Sequence, residues 1–429
     1  MFRTSTLTIE RLGQRGEGIA VNDNAQVFVP FTVPGDVVEA ELEGSQGRLV
    51  RVIEPSPERI EAFCTYFTAC GGCAVQTLAP SPYAQWKADL VRAALTHQRV
   101  EAEVAPLVDA HGEGRRRVTF HARIKRDALE RATIEVGFMR ARAHDIVDID
   151  VCPILTPALA SAPRVARRIA QLLAQTGKPL DILLTTSLEG LDVDIRGVGK
   201  LAPALRQQMV ELAQTIDLAR LSNHGEVIVE NRPPRLQMGR ALLTPPPGAF
   251  LQATEAGETV LSDLVKHAIG KSDHVADLFA GVGTFSLRLA EIARVHAVEG
   301  DAAMVNALTR AAHTATGLKA VTAQTRDLFR RPLPPTELKD FDAVVFDPPR
   351  AGAEAQAKAL AQSDVPIVVA VSCNAQTFAR DASLLIAGGY EIGTVTPVDQ
   401  FRHSAHVEVV ATFSKRAARG TKRKRSLLG

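Results

Sequence analysis

The five cysteines of this 429-residue chain fall into two groups that suit different chemistry. Cys64, Cys70 and Cys73 form a C-x5-C-G-G-C motif, and Cys152 lies far downstream, directly before a proline. Four thiolates can ligate a [4Fe–4S] cluster or a zinc ion. Zinc usually takes two separated pairs, so three clustered cysteines with a remote fourth favour an iron–sulfur site over zinc or inert thiols. The fifth, Cys373, stands apart and could act as a nucleophile.

From about residue 270 the sequence alternates between short apolar runs and helical stretches. The apolar runs predict strands at 275–279, 295–299, 321–324, 343–347 and 367–371. Near-continuous apolar strands with helical crossovers indicate a doubly wound α/β sheet with parallel strands. Two further strands, at about 390–398 and 406–413, follow as a hairpin. Five parallel strands closed by a hairpin are typical of the Rossmann-like class I methyltransferases, which use S-adenosyl-L-methionine (SAM).

Candidate binding groups follow these strands, at the sheet edge where open parallel sheets bind their ligands. A glycine turn at 281–283 follows the first strand, and Glu299 ends the second, where an acidic side chain typically binds ribose hydroxyls. Asp327 and Asp347 follow the third and fourth strands. The turn lacks the third glycine of the dinucleotide motif and has few phosphate-directed features, which favours SAM over NAD. A purely structural turn is the alternative.

Cys373 follows the fifth strand and is therefore expected at the same edge. Methyltransferases that act on exocyclic amines usually carry an aromatic residue after Asp-Pro-Pro, but Arg350 stands there. A thiolate suits methylation of a pyrimidine carbon instead, because its addition to C6 of uracil makes C5 nucleophilic. We expect the site to lower the thiol pKa, and a base, Glu408 or His406, to remove the C5 proton. A buried structural cysteine is the alternative.

The rest of the chain predicts two more domains. Short alternating strands at 7–9, 25–29, 37–42 and 49–53 indicate a small β-barrel. The order GxGI, VFVPFTVPGD and VEAEL resembles the TRAM domain, an OB-like RNA-binding barrel, and any small barrel is the alternative. Residues 115–240 combine strands with a helical stretch at about 157–175. Ser81, which precedes Pro82, is predicted to be the N-cap of another helix.

Five motifs together resemble a known family. They are FLQAT at 250–254, DLFAGVGTFSLRLA at 277–290, DPPRAG at 347–352, SCN at 372–374 and HVE at 406–408. With them the chain resembles the RNA uracil-C5 methyltransferases, in particular the branch that methylates 23S ribosomal RNA and carries a TRAM domain and an iron–sulfur cluster. Three positions depart from the family pattern: Ala375 stands where proline is usual, and Thr254 and Thr284 stand where asparagine is common.

The resemblance implies a role for each candidate residue. It implies Cys373 as the nucleophile and Glu408 as the base that takes the C5 proton. It implies SAM contacts from Gln252, Phe279, Thr284, Glu299, Asp327 and Asp347, and a [4Fe–4S] cluster on Cys64, Cys70, Cys73 and Cys152. The predicted domains are a TRAM barrel at 1–56, a mixed α+β domain with the iron–sulfur site at 57–240, a methyltransferase domain at 241–415 and a basic tail at 416–429. We expect a helix near 82–98 to pack on the methyltransferase domain.

Composition and charge agree with such a protein. A hydrophobic fraction of 46% excludes a disordered chain, and without a leader or membrane-spanning stretch we expect a cytoplasmic protein and a monomer. The net charge of +2 hides a segment at 115–145 with nine basic and four acidic residues, against five basic and nine acidic at 1–58. Basic stretches bind phosphates. We expect an RNA partner, 23S rRNA before tRNA, and no DNA or membrane; a non-catalytic RNA-binding assembly factor is the alternative.

Overall fold

A computed structural model describes residues 3–126 and 132–416. The strands in these ranges are β1 (Arg3–Thr8), β2 (Arg11–Leu12), β3 (Gly18–Asn22), β4 (Ala25–Val29), β5 (Val37–Glu43), β6 (Gln46–Glu54), β7 (Val108–Asp109), β8 (Arg117–Arg126), β9 (Ala132–Met139), β10 (Ile146–Asp148), β11 (Leu180–Ser187), β12 (Gly190–Arg196), β13 (Arg220–Asn223), β14 (Glu226–Glu230), β15 (Leu236–Met238), β16 (Ala241–Leu243), β17 (His274–Leu278), β18 (Arg294–Glu299), β19 (Val321–Thr325), β20 (Ala343–Phe346), β21 (Ile367–Ser372), β22 (Tyr390–Ile392), β23 (Thr396–Asp399) and β24 (Glu408–Lys415). The α-helices are α1 (Pro80–His97), α2 (Ala162–Leu173), α3 (Pro203–Thr215), α4 (Glu255–Ile269), α5 (Ser286–Leu289), α6 (Ala302–Thr314), α7 (Pro335–Leu338), α8 (Glu354–Ala361) and α9 (Ala375–Ala387). None of these helices is long and apolar enough to cross a membrane. From residue 417 onward, the predicted basic tail lies outside the described residues.

The first sheet contains β1 to β6 in the order β1-β5-β6-β4-β3-β2. It closes on itself, because Glu10, just after β1, donates its backbone N–H to the carbonyl of Ile19 in β3. Its small apolar core consists of Leu7, Ile9, Ala20, Val27, Val29, Val38, Ala40 and Leu42. The sequence did not predict β3, because residues 18–20 are all buried and do not alternate between apolar and polar. Whether this unit is a TRAM domain stays a prediction.

The second sheet contains β8 to β14 in the order β10-β9-β8-β11-β12-β13-β14. Its strands are antiparallel except for the parallel pair β12 and β13. Buried side chains of α2 and α3 join those of the strands in one apolar cluster. Phe120 is fully buried in this cluster, and its ring centroid lies 5.3 Å from that of Phe138. Phe120 therefore belongs to the core of this domain.

The third sheet carries the predicted parallel strands. Its order is β19-β18-β17-β20-β21-β24-β23-β7, and β22 also pairs with β24. Strands β17 to β21 run parallel, whereas β24 runs antiparallel to both β21 and β23. One apolar cluster joins the sheet to α1, α8 and α9, and another joins it to α4 and α5. The doubly wound sheet is confirmed, and its five parallel strands bring their carboxyl ends to one edge.

Two elements of the third sheet come from early in the chain. β7 pairs in parallel with β23 at the end of the sheet, and α1 contributes Val91, Ala94 and Leu95 to one apolar cluster. The helix begins at Pro80, after Ala79, and no side chain caps it. The prediction that Ser81 is the N-cap is wrong, because Pro80, which has no N–H to satisfy, already occupies the first helical position.

A buried ion pair joins α1 to the third sheet. Nζ of Lys87 lies 2.9 Å from a carboxylate oxygen of Asp399, and the two side chains are 0% and 2% exposed. The same ammonium group donates to the backbone carbonyls of Phe401 and His406. Lys87 therefore holds the segment between β23 and β24, which leads into Glu408.

We expect Lys87→Met to lower the free energy of unfolding by about 3–5 kcal/mol, because it leaves the buried carboxylate of Asp399 without its partner. Urea denaturation followed by circular dichroism measures this loss. Lys358→Met is the matched control, since it breaks an exposed pair with Glu354 on α8 and should cost less than about 1 kcal/mol. Equal losses in the two variants would show that the buried ion pair contributes no more to the free energy of unfolding than the exposed one.

Candidate active site

The turn after β17 bends sharply at the carboxyl edge of the third sheet. Phe279, Gly281 and Gly283 have φ angles of +60°, +56° and +98°, all in the left-handed region. A Cβ atom at Gly283 would lie 2.9 Å from Leu308, so packing requires glycine there. A Cβ atom at Gly281 would meet nothing within 4 Å. The turn therefore has open space against its backbone, and the half-buried Thr284 follows directly.

Two predicted acidic residues border this turn. Glu299, at the end of β18, accepts a hydrogen bond of 3.0 Å from the backbone N–H of Gly281. Asp327, beyond β19, accepts one of 3.0 Å from the backbone N–H of Phe329. The ring of Phe329 in turn packs against Phe279, with centroids 5.4 Å apart. The structure thus brings Phe279, Glu299 and Asp327 to one end of the sheet.

Asp277, in β17, lies beneath the turn and is fully buried. One of its carboxylate oxygens accepts a hydrogen bond from the hydroxyl of Ser286, and the other has no partner among the described residues. Burial raises the pKa of Asp277 to about 7, and the charges of Asp347 and Glu299 add to this effect. In the sequence, Asp277 belongs to the DLFAGVGTFSLRLA motif, and an acidic residue inside an otherwise apolar strand is the feature that distinguishes it.

Asp347 and Gln252 come from distant segments and touch. Asp347 follows β20, and Gln252 lies in the buried segment between β16 and α4. Nε2 of Gln252 donates a hydrogen bond of 3.1 Å to Oδ2 of Asp347. Burial, together with the negative charge of Glu408, raises the pKa of Asp347. Two of the predicted SAM contacts are therefore direct neighbours.

Cys373 lies close to Glu408. Cys373 follows directly after β21, whose last residue, Ser372, pairs with Val409 in β24, and Glu408 is the first residue of that neighbouring antiparallel strand. The negative charge of Glu408 acts on the Cys373 thiol. Cys373 is half-buried and Glu408 is 2% exposed. Burial raises the pKa of Glu408, although Gln400 and nearby positive charges oppose the shift. A carboxylate with raised proton affinity beside a thiol suits general-base chemistry near neutral pH.

The pKa of the Cys373 thiol is raised to about 11, so the expectation that the site lowers it is wrong for the protein without ligands. Burial is the largest cause, the negative charges of Glu408 and Asp347 add to it, and Arg350 opposes them. Sequence spacing could not show that two carboxylates lie beside the thiol. A positive charge bound beside the thiol would lower this pKa and favour ionisation of Cys373.

Gln400, which follows β23, is a site residue that sequence analysis missed. It is fully buried, and its Nε2 donates hydrogen bonds to Oε1 of Glu408 at 2.9 Å and to Oε1 of Gln252 at 2.6 Å. No motif or spacing marks it. His406, the other candidate base, lies with its Nε2 2.9 Å from the guanidinium of Arg350. Desolvation and that positive charge lower the pKa of His406 to about 4.

The other four cysteines come together in space. Burial raises the pKa of Cys73, and the neighbouring Cys70 and Cys64 raise it further. Burial raises the pKa of Cys152 to about 12, with further contributions from the same three thiols. Gly72 directs its backbone N–H at Sγ of Cys70, 3.4 Å away. Among the described residues, no three His, Cys, Asp or Glu side chains are arranged to hold a metal ion.

The basic segment at 115–145 is less exposed than its composition suggests. Arg116 is 7% exposed, forms an ion pair with Glu258 and donates to the carbonyl of Gln252 at 3.1 Å. The guanidinium of Arg117 lies 5.5 Å from the ring centroid of Phe250. These arginines hold the Gln252 segment and are not free for phosphates. Exposed basic residues of the segment are Arg123, Lys125, Arg140 and Arg142, and residues 127–131 lie outside the described ranges.

Comparison with known proteins agrees with this geometry. Residues 245–416 match the family model of the tRNA (uracil-5-)-methyltransferases. A Brucella suis protein named as an RNA methyltransferase is 46% identical over 96% of this chain and 98% of its own length. The 23S rRNA (uracil(1939)-C(5))-methyltransferase of Halomonas elongata is 34% identical over 94% of this chain and 88% of its own length.

Among solved structures, the tRNA (uracil-54, C5)-methyltransferase of Pyrococcus abyssi, in complex with S-adenosyl-L-homocysteine, has a similar fold. The two structures superpose with a TM-score of 0.72 at 22% sequence identity, covering 95% of this chain and 99% of the other. The strand order and the glycine turn at the carboxyl edge define a class I methyltransferase. With its relatives at 34–46% identity over nearly its whole length, the chain belongs to the RNA uracil-5-methyltransferase family.

Proposed function

We propose that this enzyme transfers the methyl group of SAM to C5 of a uridine in 23S rRNA. The observation that carries the proposal is the proximity of Cys373, directly after β21, to the buried Glu408, the first residue of the neighbouring strand β24. Methylation of a nitrogen or an oxygen needs no thiol, whereas methylation of uracil C5 needs both a nucleophile for C6 and a base for the C5 proton.

In the proposed reaction, the thiolate of Cys373 adds to C6 of the uracil, and the electrons of the C5=C6 double bond make C5 nucleophilic. Bound SAM supplies an electrophilic methyl group and leaves as S-adenosylhomocysteine. Glu408 then accepts the C5 proton, and the re-formed double bond expels the thiolate. Glu408 suits this role, because Gln400 binds its Oε1 while Oε2 has no partner among the described residues. His406 suits it less, since Arg350 lies against its Nε2.

The proposed SAM site is the crevice at the turn after β17. We propose contacts from Gln252, Phe279, Thr284, Glu299, Asp327 and Asp347. Two features support a ligand with amino and hydroxyl groups there: the open space at Gly281 and the unpartnered, buried oxygen of Asp277. The acidic side chains can accept hydrogen bonds from such groups, and a cationic sulfonium would favour ionisation of the nearby Cys373.

We expect the decay of the methylated protein–RNA adduct to slow as the pH is lowered below neutrality, because Cys373 is covalently bound at this stage and the base still titrates. A carboxyl whose pKa is raised, as for Glu408, loses its charge at a higher pH than an ordinary glutamate, and the protonated form cannot accept the C5 proton. Rapid-quench single turnovers with saturating SAM and RNA check this, because they measure the decay of the adduct separately from its formation. A rate that stays constant down to the ordinary glutamate pKa, about 4.3, would contradict it.

The RNA has a candidate route along a cleft of about 1660 Å³ between the first and second sheets. Its charged lining consists of Arg15, Arg48, Arg140 and Arg142 together with Glu17, Glu41 and Glu43. Arg48 forms an ion pair with Glu41, and Arg140 forms one with Asp145. Arginine side chains pair with phosphates and position a nucleic acid without reading its bases. Because the target carbon is hidden in stacked RNA, we propose that the uridine is flipped out of its helix and into the crevice.

The choice of 23S rRNA is supported by the Halomonas relative, whereas the family model and the Pyrococcus structure carry tRNA names. Radiolabelled SAM incubated separately with unmodified 23S rRNA and unmodified tRNA, followed by mapping of the labelled nucleotide, tests the choice. We expect label on one or more uridines of 23S rRNA. Label on tRNA alone would make the enzyme a tRNA methyltransferase, and no label on either RNA would favour a non-catalytic assembly factor.

We further propose that Cys64, Cys70, Cys73 and Cys152 ligate a [4Fe–4S] cluster. The charges of Cys64, Cys70 and Cys73 act on the Cys152 thiol, which indicates that the four side chains lie near one another. The N–H of Gly72 directed at Cys70 also supports the cluster. Such a cluster would tie the 64–73 loop to Cys152 and needs no part in methyl transfer. Anaerobic purification followed by iron analysis and an absorbance spectrum tests it. A colourless protein that contains zinc would overturn the assignment.

A further inference from the structure

Gln400 lies where the proposed SAM site and the proposed base meet. Its Oε1 accepts hydrogen bonds from the backbone N–H groups of Ala253 at 2.8 Å and Thr254 at 3.4 Å. These two donors belong to the segment that carries Gln252. Because the amide oxygen must face them, the amide nitrogen must face the opposite way. The backbone at 253–254 therefore fixes the orientation of the Gln400 side chain.

The amide nitrogen of Gln400 uses both of its hydrogens. One goes to Oε1 of Gln252 at 2.6 Å and the other to Oε1 of Glu408 at 2.9 Å. The oxygen of Gln252 is thereby occupied, and its own amide nitrogen donates to Asp347 at 3.1 Å. Glu408, Gln400, Gln252 and Asp347 thus form one chain of hydrogen bonds. The fixed orientation of the Gln400 amide determines which atom donates and which accepts at each link.

We propose that Gln400 is a positioning residue for uracil methylation, which keeps one oxygen of Glu408 bound and the other free for the C5 proton while it holds Gln252 toward Asp347. The inference rests on the proposed function, since that function makes Glu408 the base. Among the described residues, Gln400 is the side chain that donates a hydrogen bond to Glu408. Hydrogen bonds to a charged group are among the stronger ones, so this contact can hold the carboxylate in a single rotamer.

Four other titratable or charged side chains act on Glu408. Asp347 and Cys373 lie close enough to interact with its negative charge, and Arg350 and Lys87 favour its ionised form. Cys373, Arg350 and Lys87 form no hydrogen bond with Gln400 in the described part of the chain, whereas Asp347 is linked to it through Gln252. A change in the titration of Glu408 in a Gln400 variant therefore reports on the loss of this chain of hydrogen bonds.

Two variants separate positioning from simple packing. Gln400→Met has a similar size but neither donates nor accepts hydrogen bonds. Gln400→Glu keeps an oxygen for the N–H groups of Ala253 and Thr254, but in its ionised form, at alkaline pH, it donates no hydrogen bond to Glu408. Rapid-quench single turnovers measure methyl transfer and the decay of the detergent-stable protein–RNA adduct as separate steps. We expect both variants to slow adduct decay by roughly 10- to 100-fold, and to slow methyl transfer less.

Two results would overturn the proposal. Gln400→Glu that behaves like the wild type at alkaline pH would show that only the contact with the backbone at 253–254 matters. Equal slowing of both steps in both variants would indicate general damage to the site, without a specific effect on the base.

An infrared titration tests the same inference without activity. The difference spectrum between the wild type and Glu408→Gln identifies the carboxyl band of Glu408. We expect its titration midpoint to move to higher pH in Gln400→Met, and an unchanged midpoint would overturn the positioning role. If the wild type forms no adduct with RNA that contains 5-fluorouridine, the proposed function fails instead, and the infrared midpoint alone decides the role of Gln400.

Discussion

Replacement of Cys373 by alanine is expected to lower methylation by at least about 10,000-fold, because removal of a covalent nucleophile leaves C5 of uracil almost unreactive. The rate of label transfer from SAM to substrate RNA measures the loss. With 5-fluorouridine in place of the target uridine, the wild type should form a stable adduct after methyl transfer, since this nucleotide has no C5 proton to lose. Cys373→Ala should form none.

Cys373→Ser controls for the size of the side chain. A hydroxyl nearly matches the thiol in shape but is a far weaker acid, so this variant should be about as inactive as Cys373→Ala. Thermal melting of both variants verifies that they remain folded. Continued turnover by a folded Cys373→Ala variant would refute the covalent mechanism, and activity in Cys373→Ser alone would indicate that the position serves packing.

Replacement of Glu408 by glutamine is expected to stop the reaction after methyl transfer. The amide has nearly the same shape as the carboxylate but cannot accept the C5 proton, and loss of a positioned base costs roughly 100- to 10,000-fold in turnover. The methylated RNA should then remain attached to Cys373. Denaturing gel electrophoresis with ordinary uridine RNA and labelled SAM would show a slowly migrating, labelled adduct that the wild type does not accumulate.

Glu391→Gln is a matched control for Glu408→Gln. Glu391 lies on β22 of the same sheet, but its side chain is 62% exposed and pairs with Arg416. An exposed pair of this kind contributes little, so turnover should stay unchanged and no adduct should accumulate. Normal turnover in Glu408→Gln would instead point to another base, with His406 the first to test.

The residues at the carboxyl edge could be predicted because local sequence patterns show where each parallel strand ends. Apolar runs mark the parallel strands, and the residue after each run must fall at the same edge, as found for Cys373 and Asp347. The charges within the site could not be predicted. The raised pKa of Cys373 depends on Glu408 and Asp347, whose distances from the thiol are set by the fold.

Contacts between distant segments explain why the sequence did not indicate the role of Gln400 or the buried position of Arg116. Gln400 has no motif, and its importance comes from a bond to a residue 148 positions earlier in the chain. The inward direction of Arg116 depends on Glu258, 142 positions later, so composition alone could not reveal it. The division of the chain at residues 56, 240 and 415 stays a prediction, and α1 and β7 show that the third sheet recruits residues from before residue 240.

The contribution of α1 to the third sheet has a consequence for synthesis on the ribosome. Val91 and Leu95 leave the ribosome early, but Phe413, in the same apolar cluster, follows about 300 residues later. At a synthesis rate of about 5–20 residues per second, roughly a quarter of a minute to a minute passes between the release of α1 and the release of its last partner strand. During that time its apolar face and Lys87 lack their native cover. The nascent chain should therefore depend on chaperones until its last strand emerges, and a fragment that starts at residue 241 would lack one wall of its core.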